Sequence, residues 1–244
     1  MGSRVTTPFG GLFRKVAQKL PIQISARIPR KPLYLDPTRS SLSTRDLRTI
    51  QTGSFRYEYE GMECLKNPFD LALYMMLMSR ERPRTIVEIG SYQGGSAIWL
   101  AAQARALNLQ AHIYSLDLDA VTGVSDDDIT FLGGDIHDLE SSDLPRLLAD
   151  CPRPLLVIED GPHTFRGCSA ALDFFHPLMR AGEFLIVEDG ILKDLRYWHL
   201  DDGPNRAIAA FLEEHPDDYR IADEYCHFYG HNVTWNTNGY LQRR

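Results

Sequence analysis

The stretch from Thr85 to Ala97, TIVEIGSYQGGSA, limits the folds open to this 244-residue chain more than any other. Ile86, Val87 and Ile89, broken only by Glu88, form the short apolar run of a strand buried on both faces. Gly90 ends the run. Gly94, Gly95 and Ser96 follow, and Ala97, Ile98, Leu100 and Ala101 continue at helical spacing. A glycine-bearing strand-to-helix turn allows a ligand close to the backbone and aims a helix N-terminus at it. The dinucleotide-binding fingerprint would carry a third glycine at position 92, where this chain has Tyr92.

The strand rhythm continues downstream. Strands are expected at Ile113 to Asp117, Ile129 to Leu132, Leu155 to Glu159 and Phe184 to Glu188. Helical stretches lie between them near Ala97 to Leu107, Ser142 to Ala149 and Cys168 to Met179. Phe69 to Ser79 reads as a helix ahead of the glycine turn, with Asn67 as N-cap and Pro68 in its first position. Its Met75, Met76 and Met78 read as core filler. Alternation of this kind predicts an α/β fold, a Rossmann-like doubly wound parallel sheet. A helix at Pro204 to Glu214 and two strands, Tyr219 to Tyr225 and Gly239 to Arg243, flanking an Asn/Thr/Gly-rich connection, finish the chain.

Charge divides the chain unevenly. The net charge is −7, yet residues 1 to 50 hold ten Lys or Arg against Asp36 and Asp46, leaving an acidic remainder. We therefore read residues 1–50 as a basic arm and 51–244 as the globular domain. Phe9, Leu12, Phe13, Val16 and Leu20 make the arm amphipathic, and its Arg content resembles a mitochondrial presequence. An acidic body argues against nucleic acid as a partner unless the arm supplies the contacts. No apolar run reaches the roughly 18 residues of a membrane span, so no membrane partner is expected. Cys64, Cys151, Cys168 and Cys226 show no metal spacing, and free thiols point to a reducing, cytoplasmic setting.

Ligands of an open α/β sheet sit outside the carboxyl ends of its strands. This chain places acids at those ends. Asp117 ends the second strand, 23 residues after Gly94, where a carboxylate can accept from both ribose hydroxyls; Asp119 is the competing choice, and NAD would be served as well. Gly134-Asp135-Ile136 ends the third. VIEDGPHTF puts Glu159, Asp160 and His163 at the fourth, and LIVEDG puts Glu188 and Asp189 at the fifth. If those last two strands are neighbours, Asp160, Glu188 and Asp189 converge. Three such carboxylates repel unless a cation lies between them, and a hard divalent ion such as Mg²⁺ satisfies oxygen ligands while keeping positions open. Tyr197 and Trp198, in the segment after the fifth strand, fit either a lid or a satellite hydrophobic cluster.

The pattern E-x-G-x-x-x-G-x-S over Glu88 to Ser96 resembles motif I of class I S-adenosylmethionine (SAM)-dependent methyltransferases, in the catechol O-methyltransferase-like form. Closer similarity is to the cephalosporin hydroxylase (CmcI-like)/rhamnosyl O-methyltransferase group. It runs from Lys66-Asn67-Pro68 through EIGSYQGGSA, DGPH, LIVEDG and DGPNRAIAAFLEEHPDDY to NTNGYLQRR. The resemblance implies a sheet closed by an antiparallel pair and Mg²⁺-dependent O-methylation of a small hydroxylated molecule. For the donor it implies Glu88, Gly90, Ser91, Tyr92, Gly94, Ser96 and Asp117, with Asp135 and the backbone of Ile136 at the adenine. Asp160, Glu188 and Asp189 are implied as metal ligands. His163 stands where catechol-type enzymes carry a base; it serves there with Asp160 as the catalytic pair, or it caps the next helix. Similar proteins often self-associate, so a homo-oligomer is expected. An NAD(P)-dependent oxidoreductase, an RNA methyltransferase using the arm and a non-catalytic subunit are the rival readings.

Overall fold

The computed structural model describes residues 36–244, so the amphipathic stretch from Phe9 to Leu20 lies outside the described residues. In chain order the elements are α1 (Thr44–Ser54), a hairpin of β1 (Glu58–Tyr59) and β2 (Met62–Glu63), α2 (Pro68–Glu81), β3 (Thr85–Ile89), α3 (Gly95–Ala106), β4 (His112–Asp117) and β5 (Ile129–Gly133). Then follow α4 (Leu144–Leu148), β6 (Leu155–Glu159), α5 (Phe165–Phe175), β7 (Phe184–Val187), α6 (Leu192–Leu195), α7 (Gly203–Glu214), β8 (Tyr219–Ile221), α8 (Asp223–Cys226) and β9 (Tyr240–Arg243). Among the described residues, no helix is long and apolar enough to cross a membrane.

Seven strands form one sheet in the order β5-β4-β3-β6-β7-β9-β8. The first five are parallel, and β9 pairs antiparallel with both β7 and β8. The expected α/β fold and its antiparallel closure are thus both present. Strand alternation divides the core: Ile86, Leu156, Ile158 and Ile186 pack with Tyr74 and Trp99 on one face. Val87, Val157, Leu185 and Val187 pack with Leu172 and Phe211 on the other. With both faces covered, polar ligands have access only at the sheet's edges and strand ends.

Helix α2 begins as its sequence predicts, Asn67 accepting hydrogen bonds from the Phe69 and Asp70 amides with Pro68 next in line. The C-terminal end differs from expectation. The strand expected over Tyr219 to Tyr225 stops at Ile221, and a helical turn swings Tyr225 and Cys226 into the core. The Asn/Thr-rich connection is not a solvated loop: Asn232, Thr234, Asn236 and Thr237 are fully buried. Upstream, α1 runs across residue 50 and packs Leu47 against Ile191, Leu192, Leu195 and Trp235, so the packed body begins before that residue.

Two glycines of the turn serve the protein's own packing. A Cβ on Gly90 would sit 2.0 Å from the Asp160 carbonyl oxygen, and one on Gly95 would sit 2.1 Å from that of Glu63. The first closeness joins the tips of β3 and β6; the second seats the β1–β2 hairpin on α3. Tyr92, in the third-glycine position of the dinucleotide fingerprint, takes the left-handed conformation (φ 48°) that glycine ordinarily supplies.

Candidate active site

Backbone hydrogen bonds fasten the strand tips together. The Gly90 amide donates to Leu116 O at 2.7 Å, that of Asp160 to Ile89 O at 2.8 Å, and that of Glu188 to Glu159 O at 2.9 Å. The acids following β6 and β7 are therefore neighbours, as the pairing argument requires. Beyond these tips lies a cleft of about 750 Å³. Its walls include Gly90, Ser91, Tyr92, Ser96, Asp117, Asp135, Ile136, Asp160, His163 and Asp189. Of the residues expected at the site, Glu88, Gly94 and Glu188 do not reach the cleft wall.

On one side the glycine turn and Asp117 are coupled. Asp117 accepts from the Tyr92 amide and from the Leu118 amide, both at 2.8 Å, which fixes the carboxylate at the mouth of the turn. Asp135 accepts from the His137 amide at 2.9 Å. Glu88 lies fully buried and accepts from Ser115 Oγ at 2.6 Å, while Ser115 also meets Ser91 Oγ at 2.7 Å. Burial raises the Glu88 pKa, against the nearby Lys66 charge. Glu88 Oε1 has no hydrogen-bond partner among the described residues.

The other side holds the acid cluster. Asp160, His163 and Asp189 each bring one ligand-capable atom within 4.8 Å of the others. His163 Nε2 lies 3.3 Å from Asp189 Oδ2, and His163 Nδ1 is buried without a partner. Both residues have positive φ, 54° and 60°. Burial pulls the His163 pKa down, but Asp189, Asp160 and Glu159 together hold it above its ordinary value. Burial pushes Asp189 up to about 6, with His163 opposing.

Lys66, to which the sequence reading gave no role, enters this cluster. Its ammonium donates to Asp160 Oδ2 at 2.5 Å and to Glu188 Oε1 at 2.6 Å. Tyr74 donates to the same Glu188 oxygen at 2.6 Å, and Asn236 Nδ2 donates to Tyr74 OH at 3.3 Å. The buried connection before β9 therefore backs the cluster. Asp70 is a second buried acid that sequence reasoning missed. It accepts from the Trp235 amide at 2.8 Å and from Thr234 and Asn67 side chains, which pins that connection to α2.

The donor chemistry suits a hard cation, since oxygens of Asp160 and Asp189 face the cleft and Glu188 adjoins them. Leu192, Tyr197 and Leu200 from the segment after β7, Phe55 at the end of α1 and Trp235 from the connection before β9 line the remaining wall. Trp198 is largely exposed and does not line it.

Residues 52–244 match the sequence model of the family described as rhamnosyl O-methyltransferase/CmcI. The chain belongs to that family. Rhamnosyl O-methyltransferase from Mycobacterium leprae is 28% identical over 189 residues, covering 75% of this chain and 82% of that protein. Its counterpart from Mycobacterium bovis is 27% identical over 194 residues, with 76% and 77% covered. A solved structure of CmcI in its Mg–SAM form superposes with a TM-score of 0.63 at 25% identity, covering 78% of this chain and 77% of that one.

Proposed function

We propose that this chain is a SAM-dependent O-methyltransferase that uses Mg²⁺ or another divalent cation and acts on a hydroxyl of a small molecule, a sugar or a secondary metabolite. The observation that carries the reading is the single cleft in which the glycine turn and Asp117 face Asp160, His163 and Asp189. Membership of the rhamnosyl O-methyltransferase/CmcI family and the Mg–SAM form of CmcI support it.

In this reading Asp117 would accept hydrogen bonds from the ribose hydroxyls of the donor, and Ser91, Tyr92, Ser96, Asp135 and Ile136 would line its seat, with Gly90, Gly94 and buried Glu88 shaping the turn. Asp160, Glu188 and Asp189 would hold the cation, which when bound would supply positive charge that makes the acceptor hydroxyl more acidic. The His163 imidazole would take the hydroxyl proton as the oxygen–methyl bond forms and the sulfur–methyl bond breaks, leaving S-adenosylhomocysteine. Asp189, 3.3 Å from Nε2, would stabilise the imidazolium that results. Alignment of acceptor and donor along one line across the cleft supplies much of the rate.

We also propose a cytoplasmic protein, which the four free, buried cysteines support, and a homo-oligomer, to be checked by light scattering. The function is tested by offering labelled SAM with Mg²⁺ and a panel of glycosides and phenols. Methyl transfer to one class of acceptor, lost with EDTA, is the expected result; tight NADH binding with no SAM binding would refute it.

A further inference from the structure

Lys66 is the unexpected member of the acid cluster, and its placement is built in. Its side chain is only 6% exposed. It immediately precedes the Asn67 cap of α2, and its own amide donates to Cys64 O at 2.7 Å, so the root of the side chain is fixed by secondary structure. The ammonium contacts one oxygen of Asp160 and one of Glu188. The second oxygen of each carries no hydrogen bond among the described residues. His163 pairs with Asp189 and leaves those two acids to Lys66.

Charge arithmetic gives this arrangement a purpose. Asp160, Glu188 and Asp189 bring three negative charges to one place, and a divalent cation answers two of them. A surplus of one charge in a largely buried cluster is expensive, because the surrounding protein screens it less than bulk water does. We infer that Lys66 is the standing third positive charge of the cluster: it holds Asp160 and Glu188 together when the cation is away and, by repelling the cation, keeps it exchangeable. The inference rests on the proposed cation site. It assigns Lys66 a positioning role, exerted through the two carboxylates rather than on the acceptor.

The test compares full-length wild type with Lys66→Met, Lys66→Arg and the double variant Lys66→Met/Glu188→Gln, by Mn²⁺ titration and by thermal unfolding with and without Mg²⁺. Lys66→Met should melt lower without cation and gain more from Mg²⁺ than wild type does. It should also bind Mn²⁺ about tenfold more tightly, the effect of removing one nearby like charge. Lys66→Arg should keep wild-type values. Unchanged or weaker Mn²⁺ binding in Lys66→Met overturns the inference. Should that variant fail to fold, the double variant decides: having lost one charge of each sign, it should fold and recover the cation-free melting temperature. A double variant no more stable than Lys66→Met also overturns it. Absence of Mn²⁺ binding by wild type would sink the proposed cation site instead, while the cation-free comparison of single and double variants would still judge Lys66.

Discussion

Tyr74 donates its hydroxyl to Glu188 Oε1 at 2.6 Å, joining the first long helix to the tip of β7 across 114 residues of chain. Both side chains are buried, so the bond has no water to replace it. Tyr74→Phe should cost about 1–3 kcal/mol, the penalty for leaving buried polar groups short of a partner, because Glu188 loses a donor and Asn236 an acceptor. Urea unfolding would measure it; a stability within about 0.5 kcal/mol of wild type would mean that the contact is structurally idle.

Gly95→Ala probes the seating of the hairpin on α3. The added Cβ would meet the Glu63 backbone carbonyl oxygen at 2.1 Å, with no flexible side chain to yield. Overpacking of that kind costs about 1–3 kcal/mol. The same shift should disturb Tyr92, whose hydroxyl donates to Glu63 Oε2 at 2.8 Å, and so weaken donor binding. Calorimetric titration with S-adenosylhomocysteine and a melting curve would report the two effects.

Acid should loosen the segment before α1. The Lys193 ammonium lies 2.7 Å from Asp36, and hydrogen bonds from Lys193 and Thr38 lower the Asp36 pKa from 3.8 to about 2. A depressed carboxylate stabilises the folded state fully above its unfolded pKa and loses that contribution as pH falls through the folded one. The window is therefore pH 4 down to about 2. Partial exposure keeps the effect under about 1 kcal/mol. The protection of the Thr38 amide, which donates to Asp36 Oδ1, relative to its intrinsic exchange should fall in that window and should not change across it in Asp36→Asn.

The sheet was legible because parallel strands buried on both faces leave unbroken apolar runs, such as Leu155 to Ile158 and Phe184 to Val187, between helices of clear period. Asp117, Asp160 and Asp189 were legible as acids at strand ends. Lys66 was not, since a lysine before an Asn-Pro cap reads as a solvated loop cation; only its ion pairs with residues 94 and 122 positions away reveal it. Asp70 looked like an ordinary first-turn acid of a helix, its partners Thr234 and Trp235 lying on the far side of the sequence. Helix α1 escaped because its Leu47 and Ile50 give too thin an apolar stripe among polar neighbours, and its packing depends on Trp235 and α6. The buried turn of α8 was lost in a stretch whose tyrosines favour strands.

The central claim is that one cleft seats the methyl donor against Asp117 and a divalent cation against Asp160. Separate calorimetric titrations of S-adenosylhomocysteine and Mn²⁺ into wild type, Asp117→Ala and Asp160→Ala test it most directly. Asp117→Ala should weaken S-adenosylhomocysteine about 10- to 100-fold, as loss of charge-assisted hydrogen bonds does, and leave Mn²⁺ binding intact. Asp160→Ala should do the reverse. Mn²⁺ binding that survives Asp160→Ala, or S-adenosylhomocysteine binding indifferent to Asp117→Ala, would contradict the account.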